Sequence, residues 1–304
     1  MDNVCHTLVG VACAKAGLEH RTRFSTATLI IAANLPDADV FVFLTDAPSV
    51  SFRRGWTHGV LAQALLPLAL TAVMLALGRL RPSKSGPPLR GWWLLLLSYI
   101  GILSHVFLDF LNNYGVRLLA PFDWRWFYGD AVFIVDIWLW LVLGAGIWLA
   151  RRQRAPRPAQ GALAFAACYV ALMLVGAQTA REVVVDAWRD VRGTTPRALM
   201  VGPMPVTPFT REVIVDAGDH YERGTFSWSW PPAVTFDPAQ IPKNNTAQEV
   251  AVASTSSNVR GFLSWARFPY WTIERGTDGA RISVRDLRFG GPLRAGFVAS
   301  AVVP

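Results

Sequence analysis

Cysteine and charge are both scarce in this chain. Only three of its 304 residues are cysteine, and 16% are charged. Because no C-x-x-C pair occurs, the sequence favours neither a disulfide framework nor a thiolate metal site, and we interpret Cys5, Cys13 and Cys168 as small buried apolar residues. With 52% hydrophobic residues and a mean hydropathy of +0.31, the composition excludes an ordinary soluble domain and indicates an integral membrane protein.

The start of the chain lacks the basic segment of a secretory signal peptide. Met1-Asp2-Asn3 carries no positive side chain, so we do not expect a cleaved signal there. Internal repeats and low-complexity tracts are also absent from the sequence. The membrane interpretation therefore depends on the apolar segments themselves.

Four apolar segments are long enough to cross a bilayer, which takes about 20 residues for ~30 Å of hydrocarbon. They cover residues 59–78, 91–108, 131–150 and 161–180. Two shorter segments, 4–18 and 24–35, flank a charged turn and predict a helical hairpin with slightly short arms. The sequence thus predicts a mainly α membrane protein: a bundle of about six helices, with four full spans and an N-terminal hairpin.

The basic residues predict the orientation of this bundle. The net charge is +8, but the Arg and Lys side chains cluster in the turn at 19–23 and in the loops 79–90 and 151–157. These alternate loops mark the cytoplasmic side by the positive-inside rule. The charge is therefore explained without a nucleic acid partner, and both ends of the helical part are predicted to lie outside the cytoplasm. The protein is therefore predicted to cross its membrane several times.

The composition changes after residue 180. Residues 181–304 contain no spanning segment and are rich in Pro, Gly, Thr, Ser and Trp. Alternating or β-branched runs at 182–186, 211–216, 224–230, 249–254, 271–274 and 281–287 predict a small antiparallel β domain. We therefore predict two domains: residues 1–180 as the helical membrane domain and 181–304 as an extracytoplasmic β-rich domain, whose protein partner, if it has one, the sequence does not identify.

Ionisable residues of the helical part fall at one depth of the predicted bundle. Such residues at bilayer depth are costly and are usually functional. At about 1.5 Å per residue, His105 lies roughly 22 Å along its helix from the cytoplasmic end, and Asp109 about one turn higher. The other candidates lie at the same outer ends of their helices. The predicted metal ligands are His6, Asp37, Asp39, His58, His105, Asp109, Asp130 and Asp136.

His105-x-x-x-Asp109 is the sharpest local signal, because residues at i and i+4 share one helix face. An imidazole and a carboxylate on that face can bind one cation. A His–Asp hydrogen bond inside the bundle is the structural alternative. The spacing alone does not separate the two, but the other residues at matching depth favour a metal.

The remaining candidates have structural alternatives as well. Pro36 ends a helix and frees Asp37 and Asp39, one of which is also expected as a helix N-cap. His6 and His58 are also explained as polar helix ends, and Asp130 as a ligand or a cap. An Asp136 within an apolar helix would require a partner.

The ligand types indicate which metal would bind. Nitrogen from His with oxygen from Asp, and no sulfur, favours Zn²⁺, with Mn²⁺ or Fe²⁺ as alternatives. Eight ligands exceed one tetrahedral site, so two or three ions sharing carboxylates are predicted, as in phosphoester hydrolysis. Arg53, Arg54 and Arg125 are candidates for holding a substrate phosphate; interfacial snorkelling is the equal alternative.

Five motifs in order resemble the YdjM family of bacterial inner-membrane metal-dependent hydrolases, over about residues 1–150. They are His6, Asn34-x-Pro36-Asp37-x-Asp39, Arg54-Gly55-Trp56-Thr57-His58, Ser104-His105-x-x-x-Asp109, and Gly129-Asp130 through Asp136. The resemblance implies a membrane-embedded hydrolase that uses these His and Asp residues as metal ligands. The H-x-x-x-D helix is also distantly similar to zinc-dependent phospholipase C and P1-type nucleases, although their later H-x-x-x-E helix is absent from this sequence.

The sequence therefore predicts a metal-dependent hydrolase that cleaves a phosphoester or ester of a lipid, or of a lipid-linked substrate, at the outer leaflet. Metal-activated water would attack, with Asp37 or Asp39 as general base. One alternative is a cation- or proton-coupled transporter, although its helices would need a polar path to the cytoplasmic face. Another is a non-catalytic assembly protein whose polar cluster only fixes helix packing.

Overall fold

The computed structural model describes residues 1–45, 49–82, 86–276, 279–290 and 297–303. The chain forms two compact units. The first contains Met1–Asp39 and Arg54–Gly176, and the second contains Val40–Arg53 and Ala177–Pro304. The division therefore lies inside one long helix near the predicted boundary at residue 180, and a short early segment belongs to the second unit. Lys84, one of the basic residues used to predict the orientation, lies outside the described residues.

The helices of the first half follow the predicted order. Helix α1 is Asn3–Cys13, followed by a π-helical turn at Ala14–Leu18, and α2 is Ser25–Ala32. A 3₁₀ segment, Leu35–Leu44, and the short α3, Ser49–Phe52, come next. The long helices are α4 (Val60–Leu80), α5 (Gly91–Phe110), α6 (Ile137–Gln153) and α7 (Arg157–Arg192).

Among the described residues three helices, α4, α5 and α7, are long and apolar enough to cross a membrane. A fourth span results if α2 and Leu35–Leu44, which are bent by 48° at the break between Ala32 and Leu35, cross together. The protein is thus a helical membrane protein, as the sequence predicts. One predicted span is shorter than expected: residues 131–150 become helical only at Ile137, because the Asp136 carboxylate caps the helix by accepting a hydrogen bond from the Leu139 amide at 2.9 Å.

Close packing of α5 against α2 positions His105, one of the predicted ligands. A Cβ added at Gly101 would lie 2.4 Å from Ala32 Cβ, so only glycine allows the two helices to approach this closely. One turn further along α5, the side chain of His105 reaches the main-chain carbonyl of Ala33 at 2.8 Å. The position of this histidine is therefore set by the contact between the two helices.

The second unit contains the predicted antiparallel sheets. One sheet has four strands in the order β1 (Ala198–Pro203), β2 (Thr210–Asp216), β3 (His220–Ser227) and β4 (Ala233–Pro242). The other has three: β5 (Pro269–Gly276), β6 (Gly279–Asp286) and β7 (Val298–Val303). Between the sheets in sequence lie α8 (Gln248–Ala253) and α9 (Ser257–Leu263).

Two of the predicted β runs are wrong, because both are helical. Residues 182–186 continue α7, in which Ala180, Val184 and Trp188 recur every four residues and pack into the apolar core formed with β1 and β2. Residues 249–254 lie almost entirely in α8, which buries Val250 and Ala253 on one side. In both cases the burial period of a helix, set by tertiary packing, overrides the β propensity of valine.

A buried ion pair stabilises the three-stranded sheet of the second unit. The side chains of Asp286 and Arg288 are fully buried, and the Arg288 Nη2 donates to Asp286 Oδ2 at 2.9 Å. The Arg267 amide also donates to Oδ2, at 2.6 Å. Burial opposes ionisation of Asp286, but the Arg288 charge and these hydrogen bonds outweigh it and hold the pKa of the carboxyl below its ordinary value.

Replacing Asp286 with Asn is therefore expected to destabilise this sheet by about 3 kcal/mol, because Arg288 would remain as a buried, uncompensated charge. Hydrogen exchange of the full-length protein measures this as roughly a hundredfold loss of protection in β5 and β6. Asp237→Asn on exposed β4 is the matched control, with little change expected. Equal protection in both variants would contradict a stabilising role.

The same pair predicts acid sensitivity. Because the pKa of Asp286 is lower in the folded than in the unfolded protein, the stabilisation is fully present above the unfolded pKa of about 3.9. It is lost as the pH falls through the lower, folded pKa. In wild type, protection of β5 and β6 should thus decline below about pH 4, whereas the Asp286→Asn variant should lack this part of the pH dependence.

Candidate metal centre

Helix α5 supplies the first two donors of the site. His105 and Asp109 are completely buried and lie on one face of the helix. The His105 Nδ1 donates to the Ala33 carbonyl oxygen, which can only accept. This hydrogen bond selects the tautomer whose Nε2 carries the lone pair, as is typical of metal-binding histidines. That Nε2 lies 3.5 Å from Asp109 Oδ2.

His58 enters the site from the loop that precedes α4. Its Nε2 lies 3.1 Å from His105 Nε2 and 3.1 Å from Asp109 Oδ2. Burial lowers the pKa of the His58 imidazole, which favours the neutral form that a metal requires. Two imidazole nitrogens this close, beside one carboxylate oxygen, share either a proton or a cation.

Asp39 lies behind His58. The Asp39 Oδ2 accepts hydrogen bonds from the Arg54 amide at 2.7 Å and from Thr57 Oγ1 at 3.0 Å. It also lies 3.6 Å from His58 Nδ1, on the opposite side of the ring from Asp109. Asp39 therefore fixes the 54–58 loop and orients the imidazole, the role that carboxylates often take beside a metal-binding histidine.

Four residues present one donor atom each to a common point. Asp37, His58, His105 and Asp109 are all buried, and their donor atoms lie within 4.8 Å of one another. Asp37 Oδ1, for example, lies 4.0 Å from His105 Nε2. Four ligands about 2.1 Å from a tetrahedral Zn²⁺ lie roughly 3.4 Å apart, so the observed separations fit one ion with small adjustments. The site can therefore hold a metal ion.

His6 packs against this group of four without joining it. Its ring stacks on that of His105, with 3.8 Å between centroids, and its Nε2 lies 3.4 Å from Asp109 Oδ1. The residue is completely buried, and neither ring nitrogen makes a hydrogen bond within the described part of the chain. Asp109 thus turns one oxygen toward His58 and His105 and the other toward His6.

Positive groups collect on this second oxygen of Asp109. Arg54 Nη2 lies 2.9 Å from Asp109 Oδ1, and the amino group of Met1 contacts the same atom. Arg54 is buried and in a left-handed conformation with φ of 54°. Its guanidinium also donates to Asn112 Oδ1 at 3.1 Å and lies over the Tyr114 ring. The site is thus polarised: acids and imidazoles on one side and an oriented guanidinium on the other.

Two of the predicted ligands occupy other positions. Asp136 caps α6 through Oδ1, and its Oδ2 accepts a hydrogen bond from the Tyr169 hydroxyl at 2.9 Å. These contacts satisfy the carboxylate without a metal. Asp130 lies in the loop between α5 and α6 at a positive φ of 47°. Neither residue belongs to the group of four found in the described residues.

Of the three predicted phosphate-binding arginines, the structure brings Arg54 to the site. Arg53 belongs to the second unit, where it lies over the Phe43 ring at 5.8 Å. Arg125 is 76% exposed and pairs with Asp123 at 2.6 Å. Successive residues in one loop, Arg53 and Arg54, thus have different environments because the backbone turn at Arg54 directs only its own side chain inward.

Asn112 and Thr57 are two residues of the site to which the sequence patterns assign no role. Asn112 is completely buried and accepts hydrogen bonds from both Arg54 and the Tyr114 amide. A signal for it exists, because Asn112 follows His105 and Asp109 by seven and three residues. Thr57 belongs to the Arg54-Gly55-Trp56-Thr57-His58 motif, which assigns it no role, whereas its hydroxyl lies between Asp39 and His58 Nδ1, 3.0 and 2.9 Å from them.

Apolar spanning helices around a buried Asp-His-His-Asp group define an integral membrane protein with a potential metal site. The chain belongs to the YdjM family of inner membrane proteins, whose family model matches residues 1–180. This confirms the family resemblance inferred from the motifs. A relative in Bacillus subtilis strain 168, the uncharacterized protein YfhP, is 20% identical over 317 aligned residues, which cover 98% of this chain and 90% of the relative. No solved structure matches the chain.

Proposed function

We propose that this protein is a membrane-embedded, metal-dependent hydrolase that cleaves a phosphoester or ester of a lipid or lipid-linked substrate. The observation that carries the proposal is the buried group Asp37, His58, His105 and Asp109. Buried carboxylates and imidazoles are costly without partners. Arg54 and the Met1 amino group compensate Asp109 at its Oδ1, whereas its Oδ2 faces His58 and His105 and leaves that side suited to a cation. Within the described residues both nitrogens of the adjacent His6 also lack a hydrogen bond, which a purely structural cluster would be expected to provide.

The donor set favours Zn²⁺, with Mn²⁺ or Fe²⁺ as alternatives, because it combines imidazole nitrogen with carboxylate oxygen and no thiolate. A divalent ion in this position supplies a Lewis acid for the ester oxygen and lowers the pKa of water. If more than one ion binds, His6, whose Nε2 lies 3.4 Å from Asp109 Oδ1, would be the nearest further donor.

The surrounding residues suggest how hydrolysis proceeds. Arg54 presents a guanidinium suited to an anionic phosphate oxygen. Asp37 Oδ1 lies 4.0 Å from His105 Nε2, and we assign Asp37 as the base. As the water oxygen bonds to phosphorus, or to the acyl carbon, one water proton passes to Asp37. The bond to the alcohol oxygen breaks, and this oxygen takes up the proton that Asp37 accepted as the alcohol leaves.

The position of the group supports a lipid substrate and an extracytoplasmic site. His58 precedes α4 and Asp109 is near the end of α5, whereas Arg81 and Arg90 lie at the opposite ends of these two helices. If the basic ends face the cytoplasm, the group lies at the outer leaflet of the inner membrane. A headgroup can then reach it without its lipid leaving the bilayer.

Metal content and hydrolysis of the purified protein test this proposal. We expect about one or two equivalents of Zn²⁺ per chain by mass spectrometry, by analogy with catalytic zinc sites. Release of product from lipid phosphoesters or esters should be lost with chelator and restored with Zn²⁺. Protein that is metal-free and insensitive to chelator would contradict the proposal. Cation flux in proteoliposomes without hydrolysis would instead favour the transporter alternative.

A further inference from the structure

An apolar groove runs beside the candidate metal centre. It is lined by residues of α1, α5, α6 and α7 and encloses about 310 Å³. Ser104 is the single polar residue of its lining, and none of the lining residues is charged. Two of the four helices, α5 and α7, are candidate membrane spans. The medium in contact with this groove is therefore expected to be hydrocarbon.

Residues that line the groove are close in sequence, and along the same helices, to residues of the candidate metal centre. Val9, in its lining, follows His6 by three residues, so the two share a face of α1 about 4.5 Å apart along the axis. On α5, the lining residue Leu108 directly precedes Asp109. The same two helices thus carry the site and the groove on adjacent faces.

The dimensions of the groove fit a single extended hydrocarbon chain. Its lining on α7 extends from Leu163 to Leu174, roughly 16 Å at 1.5 Å per residue. One leaflet of a bilayer with ~30 Å of hydrocarbon is about 15 Å thick. The groove is therefore about as long as one leaflet is thick, which suits an acyl chain that lies along α7.

We propose that this acyl groove binds one acyl chain of the substrate lipid and so places the headgroup at the metal centre. That this lipid is a substrate rests on the proposed hydrolase function, whereas binding of an acyl chain in the groove does not. Small residues of α7, among them Ala166, Ala167 and Ala171, give the groove its depth. A bulky side chain at one of these positions should therefore block it.

Photo-crosslinking in nanodiscs tests the groove directly. The full-length protein is reconstituted with a phosphatidylglycerol that carries a diazirine in one acyl chain, and the crosslinked residues are mapped by mass spectrometry. Ala167→Phe fills the groove. Ala164→Phe, on the same helix, places the same ring at an exposed position outside the lining and is the matched control.

We expect saturable crosslinks at the groove residues of α7, reduced at least fivefold in Ala167→Phe and unchanged in Ala164→Phe. Ala171→Phe should behave like Ala167→Phe, which guards against a folding defect in one variant. Labelling that rises linearly with lipid and is equal in all variants would show ordinary bilayer contact and overturn the proposal, as would no labelling of the groove.

Hydrolysis measured on the same samples separates the two proposals. Saturable groove labelling without any metal-dependent hydrolysis would refute the enzyme function and leave acyl-chain binding standing. Metal-dependent hydrolysis without groove labelling would refute the acyl groove alone. If both are correct, Ala167→Phe should slow cleavage of a long-chain lipid at least tenfold and leave cleavage of a short-chain, water-soluble ester near the wild-type rate.

Discussion

Replacing Asp109 with Asn is expected to abolish metal binding and to lower hydrolysis by roughly a thousandfold, equivalent to about 4 kcal/mol of lost transition-state stabilisation. Asp109 contacts residues of the site through both of its carboxylate oxygens. Its Oδ2 faces His58 and His105, and its Oδ1 faces His6 and Arg54. An amide has no negative charge and would point N–H donors at one of these two sides.

Metal content per chain, measured by mass spectrometry on folded protein, is the primary readout for Asp109→Asn. Asp136→Asn is the matched control, because Asp136 is a buried carboxylate that caps α6 and pairs with Tyr169. It should keep its metal and lose only some thermal stability. Loss of the metal in Asp136→Asn, with the metal retained in Asp109→Asn, would contradict the assignment of the metal site to Asp109.

Asp109→Asn also leaves Arg54 buried with fewer partners, so the variant is expected to be less stable. Asp37→Asn avoids this complication, because Asp37 is at the edge of the group. If Asp37 is a metal ligand, this variant loses metal. If it acts only as the base, it keeps metal and loses activity. Full activity and full metal content in Asp37→Asn would show that Asp37 is neither a metal ligand nor the base.

Replacing Arg54 with Lys is the second change with a large expected effect. We expect a loss of about a hundredfold in kcat with the metal retained, the size seen when one preorganised donor to a developing charge is removed. Lysine keeps the charge but lacks the planar fork that reaches Asp109 and Asn112 together. Turnover of a phosphoester substrate, with metal content measured in parallel, checks this expectation.

Arg125→Lys is the control for this second experiment. Because Arg125 is exposed and paired with Asp123, its replacement should leave kcat near the wild-type value. Loss of metal in Arg54→Lys would show that Arg54 acts only through Asp109 and not on the substrate. A comparable loss of activity in Arg125→Lys would restore the original prediction that both arginines bind phosphate.

Local sequence rules predicted those parts of the site that lie within one element. The i, i+4 spacing of His105 and Asp109 requires only an α-helix, and Gly91–Phe110 is long, mostly apolar and free of proline, as a spanning helix requires. Pro36 predicted the helix break that brings Asp37 out of α2. In both cases the geometry is decided within a few residues, so no knowledge of distant packing is needed.

Asp136 and Asp130 show what a predicted depth leaves open. A depth fixes one coordinate of a residue and does not fix the direction of its side chain. Asp136 became a helix cap because α6 starts at Ile137, six residues after the start of the predicted span. Arg53 and Arg54 separate because of a single positive φ, which no pattern in the sequence reveals.

The sequence by itself determined that this is a helical membrane protein with a β-rich C-terminal part and a set of His and Asp residues at matching depth, because apolar length and helical period are local properties of the chain. Only the tertiary structure decided which of those residues meet. Four donors within 4.8 Å of one another require α2, α5 and the loop before α4 to pack together. That packing depends on close contacts such as Gly101 with Ala32, which join residues far apart in sequence.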